Sequence, residues 1–143
     1  MEQVAIHGVF VGQLRTLREE DEMEVAVVAY GTGSVGVNVR TGEVVHGPTG
    51  SDAAVDAATV KQAVFASAAP LVAVAADSRA VAVYDASTTP WSRRALLALP
   101  KRPSSVAFAS DLDLVVADKF GDIYRLPIPP NTNNTNNNNN NNK

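Results

Sequence analysis

The chain has 143 residues, a formal net charge of −3 and no cysteine. Its length fits one domain, and its mildly acidic charge argues against a free-standing nucleic-acid-binding protein, which would be basic overall. The lack of cysteine excludes disulfides and thiolate metal sites, and no apolar run approaches the roughly 18 residues of a membrane-spanning helix.

The first two segments of the chain differ sharply in polarity. Residues 4–11 are apolar apart from an interruption at His7-Gly8, and this pattern predicts a short strand. Residues 19–22 are all acidic, and Glu24 extends the run. We predict a solvated loop between strands at this acidic run; a docking patch for a basic partner is the alternative.

Three further short strands are predicted next. An apolar run covers residues 25–29, and the turn at 31–34 separates it from valines that alternate with other residues over 35–40, the two-residue period of a strand. Thr41-Gly42 turns the chain into another strand at 43–45. The glycine-rich turn resembles a phosphate-binding loop, but a helix should follow such a loop to present its amides to the phosphate. A strand follows here, so we exclude that function.

Residues 51–69 give conflicting signals. Their alanines favour a helix by intrinsic propensity. Alignment of the repeats instead places a strand at 63–67, at the position equivalent to 106–110. We therefore expect a loop at 51–59 that holds one helical turn at most.

A strand–turn–strand unit occurs twice at a spacing of about 40 residues, which is typical of the blades of a β-propeller. The first copy is residues 71–84, with its turn at Asp77-Ser78-Arg79-Ala80. The second is residues 115–126, where we expect a buried run at 115–117 and a polar turn at 118–122. Gly121 supplies the positive φ that this turn requires. The first ~50 residues resemble a third, more diverged copy.

Between and after these copies, proline marks the boundaries of the strands. Pro90 lacks a donor and restricts the residue before it, so residues 87–90 form a loop. We predict strands at 94–99 and 105–109. The fold class is therefore all-β: residues 1–128 form a partial β-propeller of about three blades, an open arc of antiparallel sheets.

The composition changes abruptly near the end of the chain. From residue 131 onward the chain holds only asparagine, threonine and a final lysine. Such a tract buries no apolar area to offset the entropy of ordering, so we expect residues 129–143 to be disordered. Because short-repeat expansion can produce a tract of this kind, we expect the chain to be an N-terminal fragment.

We predict no catalytic, metal-binding or cofactor-binding residue in this chain. His7 and His46 lie in unrelated segments, so each is interpreted as a loop or structural residue. Asp118 and Asp122 have the appearance of paired carboxylates, but turn hydrogen bonding and the adjacent Lys119 explain them better. The same lack of a catalytic constellation disfavours a fragment of a propeller-type hydrolase.

Two basic pairs, Arg93-Arg94 and Lys101-Arg102, flank one predicted strand. Arginine suits bidentate contacts to phosphate or carboxylate. These four residues are candidates for a rim that faces a partner or RNA. The alternative is ordinary solvated charge.

The repeats resemble WD-repeat propellers, because Tyr84-Asp85 stands where that family often has Trp-Asp. The family's Gly-His pair is reversed at His7-Gly8 and His46-Gly47, so its usual network of His, Ser/Thr, Asp and Trp is incomplete. Residues 79–126 are more closely similar to the N-terminal blades of the WD-repeat non-catalytic subunit of the tRNA (guanine-N7-)-methyltransferase complex. The resemblance is carried by Pro90-Trp91, the basic pair Lys101-Arg102 and a signature turn with Asp118, Lys119, Gly121, Asp122 and Tyr124.

This resemblance implies a scaffold and not an enzyme. In that family a separate Rossmann-type subunit binds S-adenosylmethionine and methylates N7 of a guanine in the tRNA variable loop, while the propeller stabilises that subunit. The resemblance thus implies no cofactor in this chain, the catalytic subunit as partner, tRNA contacted indirectly or at the rim, no membrane, and a nuclear location, with cytoplasm as a further location. A WD-repeat adaptor with no RNA role and a non-functional truncated product remain as alternatives.

Overall fold

A computed structural model describes residues 6–15, 22–30, 33–47 and 60–130. These ranges contain eleven strands and no helix, so no helix in them could cross a membrane. The first sheet holds β1 (Ile6–Arg15), β2 (Glu22–Tyr30), β3 (Gly33–Asn38) and β4 (Val44–His46). The second holds β5 (Val60–Phe65), β6 (Leu71–Ala76), β7 (Ala80–Asp85) and β8 (Ser92–Ala98). The third holds β9 (Pro103–Phe108), β10 (Asp113–Asp118) and β11 (Ile123–Pro127).

Each sheet is antiparallel, and its strands are paired in chain order. The first strands of successive sheets contact one another, β1 against β5 and β5 against β9. Gln62 fixes the second of these contacts, because its Oε1 accepts a hydrogen bond from the Val106 amide at 2.8 Å. Small antiparallel sheets that meet along their first strands are blades of a propeller. The predicted all-β, partial propeller is confirmed.

Two separate cores join the three sheets. One lies between the first and second sheets and the other between the second and third. Alternate residues of β6 enter the two cores: Val72 and Val74 face the first, while Leu71 and Ala73 face the second. Because successive side chains of a strand point to opposite faces, a strand that is covered on both sides must be apolar throughout. This is why β6 is a continuous run of valine, leucine and alanine.

The third sheet is covered on one face only, and this corrects one expectation. Leu114, Val116 and Asp118 of β10 are buried, whereas Val115 and Ala117 are only half-buried. The predicted buried run at 115–117 is therefore an alternating pattern. A strand with one covered face buries every second side chain.

The alternating valines of the first sheet do form a strand, and its fully buried side is the one without valines. Ser34 and Gly36 of β3 are buried, and Val35 and Val37 are half-buried. The strand also ends at Asn38, so the last part of the predicted alternation, residues 39–40, is a turn. At Gly36 a small residue is needed because Trp91, directly before β8, lies against it, with its Cη2 only 3.0 Å from where a Cβ would be.

Several strand boundaries differ from the predicted ones. β1 extends to Arg15, β8 begins at Ser92, and β9 begins at Pro103. Glu22, the last residue of the acidic run 19–22, is the first residue of β2. The rest of that run, the whole loop at 51–59 and the tail from 131 lie outside the described residues, as do residues 31–32 of the predicted glycine-rich turn.

Candidate functional site

The signature turn is organised around one carboxylate. Asp118 ends β10 and is only 3% exposed. Its Oδ1 accepts hydrogen bonds from the backbone amides of Phe120 and Asp122 at 2.8 and 3.0 Å. Its Oδ2 accepts a third bond at 2.7 Å from the hydroxyl of Tyr124, in β11. The side chain of Asp118 therefore binds both the turn and the strand that follows it.

These contacts shift the ionisation of both side chains. The hydrogen bond from Tyr124 lowers the pKa of Asp118 from its usual 3.8, against the opposing effect of burial, and the two backbone amides and the positive charge of Lys101 lower it further. The same hydrogen bond raises the pKa of Tyr124 to about 12. At neutral pH, Asp118 is ionised and Tyr124 keeps its proton as the donor.

The backbone closes the turn around this carboxylate. The Asp118 amide donates to the carbonyl of Asp122 at 2.9 Å, and the Gly121 amide donates to the carbonyl of Asp118 at 3.2 Å. Gly121 has a φ of 92°, a conformation that costs an L-residue energy but is open to glycine. Asp122 contributes its backbone amide and carbonyl to hydrogen bonds with Asp118, so the two aspartates hold the turn together. The cation with an effect on Asp118 is Lys101, and not the adjacent Lys119 that the sequence had indicated.

The four candidate rim residues do not lie together. Lys101 and Arg102 are in the connection between β8 and β9, whereas Arg93 and Arg94 are at the beginning of β8. The seven residues of this strand place its two ends about 20 Å apart, at about 3.3 Å for each step. Arg94 is half-buried, and its Nε donates to the carbonyl of Pro129 at 3.1 Å. The structure therefore places the two basic pairs at opposite ends of β8.

Lys101 and Arg102 instead share a cleft with Lys119 of the signature turn. The cleft has a volume of about 610 Å³ and lies where the β6–β7 turn, the β8–β9 connection and the β10–β11 turn meet. It is lined by Asp77, Ser78, Arg79, Pro100, Lys101, Arg102, Lys119 and Phe120. We call it the basic cleft.

Five of the eight residues that line the basic cleft were not among the candidates predicted from the sequence, and Arg79 and Phe120 are two of them. Arg79 has a φ of 66°, unusual for any residue other than glycine, but nothing in the sequence marks that conformation. Phe120 was visible as an aromatic residue inside a polar turn. It is 74% exposed, and the Nζ of Lys101 lies 4.4 Å from the centre of its ring.

A second cluster of functional residue types lies between the first and second sheets. The ring of His46 is stacked on Trp91, with 4.7 Å between centroids, and its centroid is 4.5 Å from that of Tyr84. All three residues are buried. The neighbouring Asp85 accepts bonds from the amide and hydroxyl of Ser87, at 2.9 and 2.6 Å. These side chains pack the two sheets together and shape the turn after β7.

No group of three or more His, Cys, Asp or Glu side chains that could hold a metal ion occurs in the part of the chain that the structure describes. The chain has no match among the curated proteins compared. A family model described as tRNA methyltransferase TRM82 WD40 domain matches residues 44–143. The resemblance drawn from residues 79–126 is thereby confirmed, and the match covers the second and third sheets in full.

Proposed function

Because the chain belongs to the tRNA methyltransferase TRM82 WD40 domain family, we propose that it is the non-catalytic scaffold subunit of a tRNA (guanine-N7-)-methyltransferase complex. The family match over residues 44–143 is the observation that carries this proposal. In the proposed complex a separate subunit binds S-adenosylmethionine and transfers the methyl group to N7 of a guanine in the tRNA variable loop. The chain described here holds that subunit in an active conformation.

The use of polar side chains in the blades supports a scaffold role. Asp118 accepts all its observed hydrogen bonds from its own turn and the next strand. Asp85 likewise accepts its hydrogen bonds from Ser87, in the turn that follows β7. A general acid or base must be within hydrogen-bonding reach of a substrate proton. These carboxylates are instead committed to shaping the blade ends, where propellers present their loops to partners.

We further propose a nuclear location, with cytoplasm as a second site. Both the location and the catalytic partner are taken from the family that the chain resembles. A tagged chain imaged in living cells tests the location directly: exclusion from the nucleus would contradict it.

Co-expression tests the scaffold role. The chain is co-expressed with the catalytic subunit from the same organism, and an affinity tag is placed on that subunit. We expect the chain to co-purify and to raise both the melting temperature and the methyl-transfer rate of the catalytic subunit. A matched control replaces the chain by an unrelated propeller domain of similar size.

Depletion of the gene product tests the reaction. We expect 7-methylguanosine in total tRNA to fall when the product is depleted and to recover when it is restored. An unchanged level of 7-methylguanosine would overturn the proposal. If the chain then co-purified with other proteins, it would be an adaptor with no role in RNA modification.

A further inference from the structure

The basic cleft carries a charge opposite to that of the whole chain. Four of the chain's twelve lysines and arginines line it: Arg79, Lys101, Arg102 and Lys119. Asp77 is the one acidic residue of the lining. The lining thus has a formal charge of +3, in a chain of net charge −3. Such a local concentration of cations favours the binding of a polyanion.

Backbone hydrogen bonds hold the three loops of the basic cleft together. The Leu99 amide donates to the carbonyl of Arg79 at 2.8 Å, and the Lys119 amide donates to the carbonyl of Arg102 at 3.2 Å. The Arg79 guanidinium also reaches the carbonyl of Pro100 at 3.5 Å. The four cations therefore project from loops that are fixed relative to one another. Less freedom is lost when a ligand binds such a preorganised site.

Phe120 gives the basic cleft an aromatic surface. Its ring is 74% exposed, although burial of a phenylalanine is normally favourable. Lys101 lies over one face of the ring. Exposed aromatic rings among cations are the platforms on which unpaired bases stack, while the cations contact the phosphates.

We propose that the basic cleft binds RNA: Lys101, Arg102 and Lys119 contact backbone phosphates, and an unpaired base stacks on Phe120. An acidic peptide would satisfy the cations but would leave the exposed ring unused. The assignment of this RNA as tRNA rests on the proposed function; the binding itself does not.

The test measures binding of the full 143-residue chain, without any partner, to a fluorescently labelled tRNA transcript by anisotropy. The double variant Arg102→Glu/Lys119→Glu should weaken binding by about tenfold or more and reduce the dependence of affinity on salt. The matched control is Arg40→Glu/Lys61→Glu, which changes the net charge equally at two exposed residues outside the cleft. Equal affinities of the two double variants would overturn the proposal.

A second variant separates RNA from an acidic peptide. Phe120→Ala should weaken binding of a single-stranded RNA oligonucleotide several-fold and leave binding of a polyglutamate peptide unchanged. Unchanged RNA binding by Phe120→Ala, together with polyglutamate binding that the double variant abolishes, would identify the cleft as a peptide site and overturn the proposal. Circular dichroism and Trp91 fluorescence verify the fold of each variant. Because no methyltransferase subunit is present, failure of the scaffold proposal leaves this test intact.

Discussion

At the scale of single residues, Asp118 links the signature turn to the strand after it. Its carboxylate accepts hydrogen bonds from two backbone amides and from the Tyr124 hydroxyl. Hydrogen bonds to an ionised acceptor are shorter and stronger than those between neutral groups. The conformation of the turn that carries Lys119 and Phe120 into the basic cleft therefore depends on the charge of Asp118.

Substitution of Asp118 should destabilise the chain more than substitution of its neighbour in the same turn. Asp118→Asn removes the charge and replaces one acceptor oxygen by a donor, so the Tyr124 hydroxyl can no longer donate at that position. We expect a lower melting temperature by circular dichroism. Asp122→Asn is the control, because Asp122 contributes backbone groups to the turn. Equal melting temperatures for the two variants would contradict this role of Asp118.

The Asp118–Tyr124 hydrogen bond should make stability depend on pH in the alkaline range. Because the pKa of Tyr124 is raised to about 12 in the folded chain, the bond contributes fully below pH 10, the ordinary tyrosine value. Its contribution is lost as pH rises from 10 towards 12. At the acidic end, the lowered pKa of Asp118 means that its contribution is full above pH 3.8 and is lost as pH falls below that value.

The absorbance of tyrosinate measures the ionisation of Tyr124 directly, since the chain has only three tyrosines. One should titrate close to pH 12, and Tyr124→Phe should remove that step. The free energy of unfolding of Tyr124→Phe should also fall less steeply with pH in this range. Identical slopes for the variant and the parent chain would show that the bond contributes nothing.

At the scale of elements, the sequence predicted strands and turns better than it predicted which faces are buried. The two-residue period of β3 was correct, yet the buried side belongs to Ser34 and Gly36. At Gly36 the small residue is required by Trp91, which directly precedes β8 of the second sheet. Lys101 likewise acts on Asp118 from outside the turn. Both the buried side of β3 and the effect on Asp118 depend on contacts between different elements. A local sequence pattern contains no information about such contacts.

Gly36 should therefore tolerate no side chain. A Cβ at this position would lie 3.0 Å from Cη2 of Trp91 and 3.2 Å from Cβ of His46. Gly36→Val should cost about 1–3 kcal/mol by overpacking. Denaturation monitored by fluorescence measures this, because Trp91 is the sole tryptophan of the chain. Val35→Ile, which adds bulk on the half-buried side of the same strand, is the control; equal losses in both variants would contradict the packing argument.

At the scale of the whole molecule, exposure of apolar side chains differs between the sheets. The second sheet is covered on both faces by the two cores. The first sheet exposes Val9 and Val11 of β1, each 56% exposed. Their cross-strand neighbours continue the same apolar face with half-buried side chains: Ala26, Val28, Val35 and Val37. An open apolar sheet face of this kind favours association.

We therefore expect the 143-residue chain, expressed by itself, to self-associate through this face of the first sheet. Blades of a propeller are stabilised mainly by packing against their neighbours. The face that carries Val9 and Val11 contacts solvent where a neighbouring blade would pack. Val9→Lys/Val11→Lys should reduce the mass measured by light scattering on size exclusion. Val39→Lys/Leu112→Lys is the matched control, because it places the same charges at two apolar residues in exposed turns. A monodisperse monomer that unfolds in one cooperative thermal transition would contradict this expectation, since it would mean that three blades bury enough apolar surface to fold without a further neighbour.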